Sequence, residues 1–243
     1  MEGSPAAPER RLTVGGVISE AFELYGKHAA TLIFAALAIF IVSGVIQGLL
    51  NEADSAILSF VGSIVSLVAW ALFTGFVVSL VSDVRDGRRD FTAGELLSSG
   101  WHAVLPLIAF GILFGLGVGI GFLLLIIPGL FLLTIWSVGV PAIVVERAGV
   151  FEAFGRSHEL VRGDGWTVFG AIVVAFLVLW GLGIAAVLLG AVIADAAGAI
   201  ILAIIVNVLA APFAALVSSV LFFELRGAAP AAEPPPPAPA PAA

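Results

Sequence analysis

A chain of 243 residues that is 61% hydrophobic and only 11% charged cannot cover the surface of a water-soluble domain, where about a quarter of residues carry charge. Composition therefore places it in a membrane. Its net charge of −7 supplies no basic footprint, so no nucleic-acid partner is expected, and the absence of cysteine excludes disulfides, thiolate catalysis and cysteine-held metals.

Residues 1–11 read as a flexible N-terminus. Glu2, Glu9, Glu20 and Glu23 precede the first hydrophobic run, which starts near Ala29, and no small-residue cleavage site follows a short apolar core. A cleaved signal peptide is not expected. Arg10-Arg11 lacks the apolar stretch that a twin-arginine signal needs close behind it, and reads as a positive anchor.

Charge-free apolar runs recur at 29–50, 56–82, 103–127, 129–145, 166–194 and 196–223. A helix crosses a bilayer in about 20 residues. Five runs reach that length. The fourth is short, and its Pro141 predicts a kink whose freed carbonyl a neighbouring helix or a hydroxyl must satisfy. From Ala103 to Val145 no residue is charged. At ~1.5 Å per residue this stretch would make about 64 Å of helix, twice the hydrocarbon core. The chain must turn inside it, and "LLLIIPGLFLL" places the turn at Pro128-Gly129.

The positive-inside rule then sets the orientation. With the N-terminus in the cytoplasm, all ten Lys and Arg fall on the inside: Arg10, Arg11, Lys27, Arg85, Arg88, Arg89, Arg147, Arg156, Arg162 and Arg226. The outside turns "NEADS", Pro-Gly and "DAAG" hold none. The expectation is a multi-pass protein of the cell membrane with both termini cytoplasmic. Residues 12–226 form the six-span membrane domain. Residues 227–243, "GAAPAAEPPPPAPAPAA", read as a disordered tail with polyproline character.

Charge gathers again in "VVERAGVFEAFGRSHELVRGDGW", residues 144–166. On a helical wheel Val150, Phe154, Ser157 and Val161 share one face, with Glu152, Arg156, Glu159 and Arg162 opposite. Glu152 and Arg156 stand in the favourable i,i+4 order. This predicts an amphipathic helix lying in the interface, apolar face toward the lipid. The same stripe recurs as Val14, Ile18, Ala21 and Tyr25, and as Ala93, Leu97, Gly100 and Val104. Each copy has a small residue mid-stripe, Ala21, Gly100 or Ser157, where another helix can approach. The expected fold is thus all-α and integral to the membrane. Six transmembrane helices form three hairpins, each preceded by a short amphipathic interfacial helix.

Three stretches, "LTVGGVISEAFELYGKH", "IIPGLFLLTIWSVGVPAIVVE" and "AFGRSHELVRGDGWTVFG", resemble a family of bacterial and archaeal membrane proteins. That family is named for the glycerophosphoryl diester phosphodiesterase membrane domain, and the stretches are also similar to neighbouring uncharacterised six-span families. The resemblance spans about residues 12 to 225. It matches a proline-glycine turn leading to a span that ends in an acid, here Glu146. It also matches an Arg-Ser pair followed by Leu, here Arg156, Ser157 and Leu160. Some members carry a soluble phosphodiesterase domain with a His-Arg-Gly start and metal-binding carboxylates. Here His28, His102 and His158 stand in no such context, so the resemblance implies the membrane region without the enzyme.

The remaining chemistry is sparse. No cofactor is expected, and the scattered histidines read as headgroup-level polar residues. The glycines of "GILFGLGVGIGF" sit mid-span, where they permit close helix packing. Asn207, with Pro212, is the candidate polar break in span six, and Gln47 is the other notable amide. Glu146 and Glu224 end spans and can pair with Arg147, Arg156 or Arg226. Glu146, Arg156, Ser157 and Asn207 are the candidate functional or structural residues. Two functions follow. One is a non-enzymatic protein that organises lipids, or a membrane or cytoplasmic protein partner, through its lipid-gripping stripes. The other is a permease or exporter for a neutral or lipid-like solute, which requires a cavity reaching mid-membrane.

Overall fold

A computed structural model describes residues 12–51, 55–87, 93–192 and 196–228, with the side chains of 51, 93–102, 191, 192, 196–201, 203, 204 and 207 outside the description. The described residues form eight helices: α1 (Val14–Asn51), α2 (Ala56–Arg85), α3 (Ala93–Leu124), α4 (Ile126–Ile135), α5 (Gly139–Glu146), α6 (Val150–Val161), α7 (Gly165–Val192) and α8 (Ala196–Ala228). Six segments are long and apolar enough to cross a membrane, with α4 and α5 together making the fourth. The hairpins α1–α2, α3–α4 and α7–α8 pack internally, and α8 returns to close against α1 and α2.

Hydrocarbon demands that backbone groups be bonded within the protein, which the long helices do along most of their length, the internal Pro106 and Pro212 each removing one donor. The core sits toward one end of the bundle. There Phe73, Phe76 and Leu80 of α2 meet Leu216, Val220 and Phe222 of α8, all buried. The opposite end leaves large apolar groups such as Ile57, Leu123, Ile127 and Val187 exposed. In lipid such exposure costs nothing, since acyl tails are as apolar as leucine.

The reversal between α3 and α4 falls three residues before the predicted position. Leu125 alone is extended (φ −163°, ψ 151°), and Pro128 lies inside the first turn of α4. A proline is tolerated there because its missing N–H has no helical partner in any case. The glycines still matter. A Cβ on Gly121 would stand 2.9 Å from the Gly129 Cα, and one on Gly129 would stand 2.5 Å from the Phe122 ring. Elsewhere in α3, Gly111 faces Trp70 and Gly117 faces Trp136, whereas Gly115 and Gly119 face open space. The expectation of close packing holds for only part of the glycine run.

The amphipathic segments follow expectation in part. α6 is a separate helix, and non-helical backbone at His28 (φ −116°, ψ 17°) divides α1 into a short first helix and the span that follows it. The third runs directly into α3, and its stripe residues Ala93, Leu97 and Gly100 lie outside the described side chains. The two described stripes face protein rather than lipid. Ala21 is fully buried, and the Tyr25 hydroxyl donates to the Leu209 carbonyl of α8 at 3.1 Å. On α6, Ala153, Ser157, Leu160 and Val161 are buried against the bundle, while Phe151 is 80% exposed. Apolar residues in a membrane protein gain nothing by choosing lipid over a well-shaped protein surface, and packing decides.

Candidate functional site

Span four is broken. Helix α4 ends at Trp136, and α5 restarts after Val138. Pro141 cannot donate, so the Ser137 carbonyl four residues earlier has no helical partner. The Ser218 hydroxyl of α8 donates to it at 2.8 Å. This is the outcome predicted for the carbonyl freed by Pro141, although the break itself precedes the proline.

Two further groups are freed by the break, and one side chain serves both. The Ser157 hydroxyl of α6 donates to the Ile135 carbonyl at 2.8 Å and accepts the Val138 N–H at 3.2 Å. Its single proton and a lone pair are both used. Around the break, Thr134 bonds back to the Leu130 carbonyl at 2.7 Å and Ser137 Oγ donates to the Thr134 carbonyl at 2.9 Å. Non-helical backbone at membrane depth survives only where protein or water satisfies it; here protein hydroxyls do so.

Aromatic rings seal this region. Phe154 of α6 stacks on Phe110 (4.4 Å between centroids, 25°) and meets Trp136 edge-on (4.7 Å, 68°). Gly139 makes room, since a Cβ there would lie 2.2 Å from Phe110 Cζ. Phe154 therefore holds α6 to the break rather than to the leaflet, and the lipid-gripping role expected of this stripe is corrected.

The charges of the described helices tie the same end of the bundle together. At the end of α5, Glu146 receives two bonds from Arg156, from Nε at 2.8 Å and from Nη2 at 3.2 Å, and lies 3.7 Å from Arg226 Nε. The carboxylate beside it holds the Arg156 guanidinium above its usual range, so it stays charged. Arg156 also reaches Glu159 at 3.6 Å. The predicted partner Glu152 instead accepts the Gly149 N–H at 3.1 Å, capping α6. A second knot centres on Arg85, which bonds Glu20 of α1 and Glu224 of α8 and lies over the Phe223 ring at 5.3 Å. Glu224 thus meets Arg85, a partner outside the three anticipated. Replacing Glu146 with glutamine leaves two guanidiniums without their shared anion. It is expected to cost about 1 kcal/mol, because the pair is partly solvated, read as a lowered midpoint of unfolding in mixed micelles.

Beside the break lies a groove of about 450 Å³, walled by α2, α3, α7, α8 and the α4–α5 junction. Trp70, Phe114 and Phe176 represent its apolar lining; Thr74, Ser137 and Ser218 are its hydroxyls. All three hydroxyls are already committed, to the carbonyls of Trp70, Thr134 and Ser137.

Of the four residues singled out in the sequence, three converge. Glu146, Arg156 and Ser157 join α5 and α6 beneath the break. Asn207 lies in α8, and its side chain is outside the described residues. Ser137 and Ser218, and the rings of Phe110 and Trp136, were not anticipated. Pro141 and the shortness of the fourth run were the signals that hydroxyls would be recruited. Among the described residues, no three His, Cys, Asp or Glu side chains cluster as metal ligands.

A UPF0259 membrane protein of Pectobacterium carotovorum subsp. carotovorum is 31% identical over 134 residues, covering 54% of this chain and 53% of that protein. The chain thus spans about half the length of the curated relative it matches. No protein-family model matches the chain, and no solved structure matches it. The relative supports a membrane protein of an uncharacterised family. The resemblance to the glycerophosphoryl diester phosphodiesterase membrane domain gains no support from it.

Proposed function

We propose that this chain is a non-catalytic, multi-pass protein of the cell membrane, with both termini cytoplasmic, that organises bilayer lipids. The observation that carries the reading is the groove beside the broken span, apolar in its lining and with every hydroxyl engaged by backbone. Such a surface has no hydroxyl proton left to donate and offers a polar solute only a few lone pairs in place of the hydrogen bonds it loses on leaving water. It suits hydrocarbon. The ion pairs support the same reading, because Glu146 and Arg156 are spent on each other and Arg85 on Glu20 and Glu224.

The broken fourth span favours a second reading, a permease for a neutral or lipid-like solute, because transporters build sites from discontinuous helices. In those sites the freed backbone groups meet the substrate. Here Ser157 and Ser218 occupy them, which ranks this reading second.

Native extraction into lipid nanodiscs, followed by mass spectrometry of everything that remains bound after washing, tests the proposal. Phospholipid retained at a fixed ratio to protein is expected. A stoichiometric protein partner without retained lipid would replace lipid organisation with partner organisation, and a retained polar metabolite would overturn both in favour of transport.

A further inference from the structure

We infer that the groove between α2, α7, α8 and the α4–α5 junction binds one acyl chain of a bilayer phospholipid, inserted sideways from the hydrocarbon core. This rests on the lipid-organising reading and names its binding site. Depth is the first argument. Phe176 stands 11 residues into α7, which starts at Gly165. At ~1.5 Å per residue that is about 17 Å along the helix, close to the middle of a core about 30 Å thick. Only acyl chains are abundant at that depth.

Access is the second. Trp70 and Phe176 line the groove while being 42% and 62% exposed. The groove therefore communicates with the surface of the bundle that lipid covers. Its deeper wall is buried, with Phe73, Ala175 and Leu221 shielded from outside. A chain end entering past the two rings passes from lipid to a protein wall of the same polarity.

Chemistry is the third. The groove contains no ionisable side chain, and its three hydroxyls donate to carbonyls at 2.8, 2.9 and 2.8 Å. A headgroup would lose its hydration for no charge partner and no hydroxyl proton, only hydroxyl lone pairs. A volume of about 450 Å³ falls within the ~300–1,000 Å³ typical of small-ligand sites. It admits a single chain rather than a whole lipid.

The test uses the full chain in nanodiscs containing phosphatidylethanolamine with a diazirine near the middle of one acyl chain. Photolysis and peptide mass spectrometry then locate the label. Label on the peptides carrying Ala175–Leu179 and Ala211–Ser218 is expected to fall at least fivefold with excess unlabelled lipid, as a saturable site requires. Ala175→Trp, which fills the groove, should abolish that label while leaving label near the outward-facing Leu123 and Leu188 unchanged. Because Ala175 is buried and the substitution can prevent folding, the rim variant Ala214→Phe is measured in parallel. Groove label that does not saturate, or that survives both fillings, overturns the site. Lipid retention is measured on the same samples. Retention without groove label overturns the acyl-chain site and leaves the lipid-organising reading standing, and loss of both overturns the two together.

Discussion

Ser157→Ala is expected to destabilise the bundle by about 2–6 kcal/mol, although it removes a single oxygen. The hydroxyl satisfies two backbone groups that the break in span four sets free, the Ile135 carbonyl and the Val138 N–H, and each buried polar group left without a partner costs about 1–3 kcal/mol. Ser157 is fully buried, which keeps bulk water from substituting. Ser219 is the control. It is equally buried, but its hydroxyl bonds the carbonyl four residues earlier in its own helix at 2.7 Å. Such back-bonding adds little to a helix, so Ser219→Ala should cost less than about 1 kcal/mol. Unfolding by denaturing detergent, followed by circular dichroism, reads both. Equal effects of the two substitutions would remove Ser157 from its role as a splint.

Gly121→Val should be as damaging by the opposite mechanism. A Cβ at 121 would stand 2.9 Å from the Gly129 Cα and 3.0 Å from its nitrogen. The obstacle is backbone, which cannot swing aside as a side-chain tip does. Overpacking of this kind costs about 1–3 kcal/mol and sometimes more, and the top of that range is expected here because the reversal at Leu125 is a single residue long. Gly119→Val, two residues earlier and facing open space, should be almost silent. A cysteine pair across the α3–α4 turn, crosslinked in membranes, would report the hairpin opening. Unchanged crosslinking in Gly121→Val would show that the clash is absorbed without opening the hairpin and would overturn the prediction.

Much of the architecture is legible in the sequence, because hydrocarbon imposes strict lengths and excludes charge. The six spans follow from that alone. So does the need to satisfy the carbonyl that Pro141 abandons. Position along the chain was harder. The break sits at 136–138 and the reversal at Leu125, each ahead of its proline, since a proline is accommodated in the first turn of a new helix as readily as at a helix end. The stripes of Phe154 and Tyr25 were legible as apolar faces but not as protein-facing ones. In water an apolar stripe must be buried, whereas in a membrane lipid and protein satisfy it equally. Ion pairs show the same limit. Charge placement brings Glu224 and Arg85 to one end of the molecule, but nothing local to either says that residues 139 positions apart will meet.

The splinting of span four also sets an order of events during synthesis. The Ser137 carbonyl waits for a hydroxyl 81 residues further along the chain, and the Ile135 carbonyl for one 22 residues along. At a ribosomal rate of ~5–20 residues per second, the nearer partner emerges within about 1–4 s and the farther within about 4–16 s. Through that interval these carbonyls depend on water for their hydrogen bonds. The broken geometry of the fourth span is therefore fixed only after the sixth has been made, so that the fourth span is finished by the sixth.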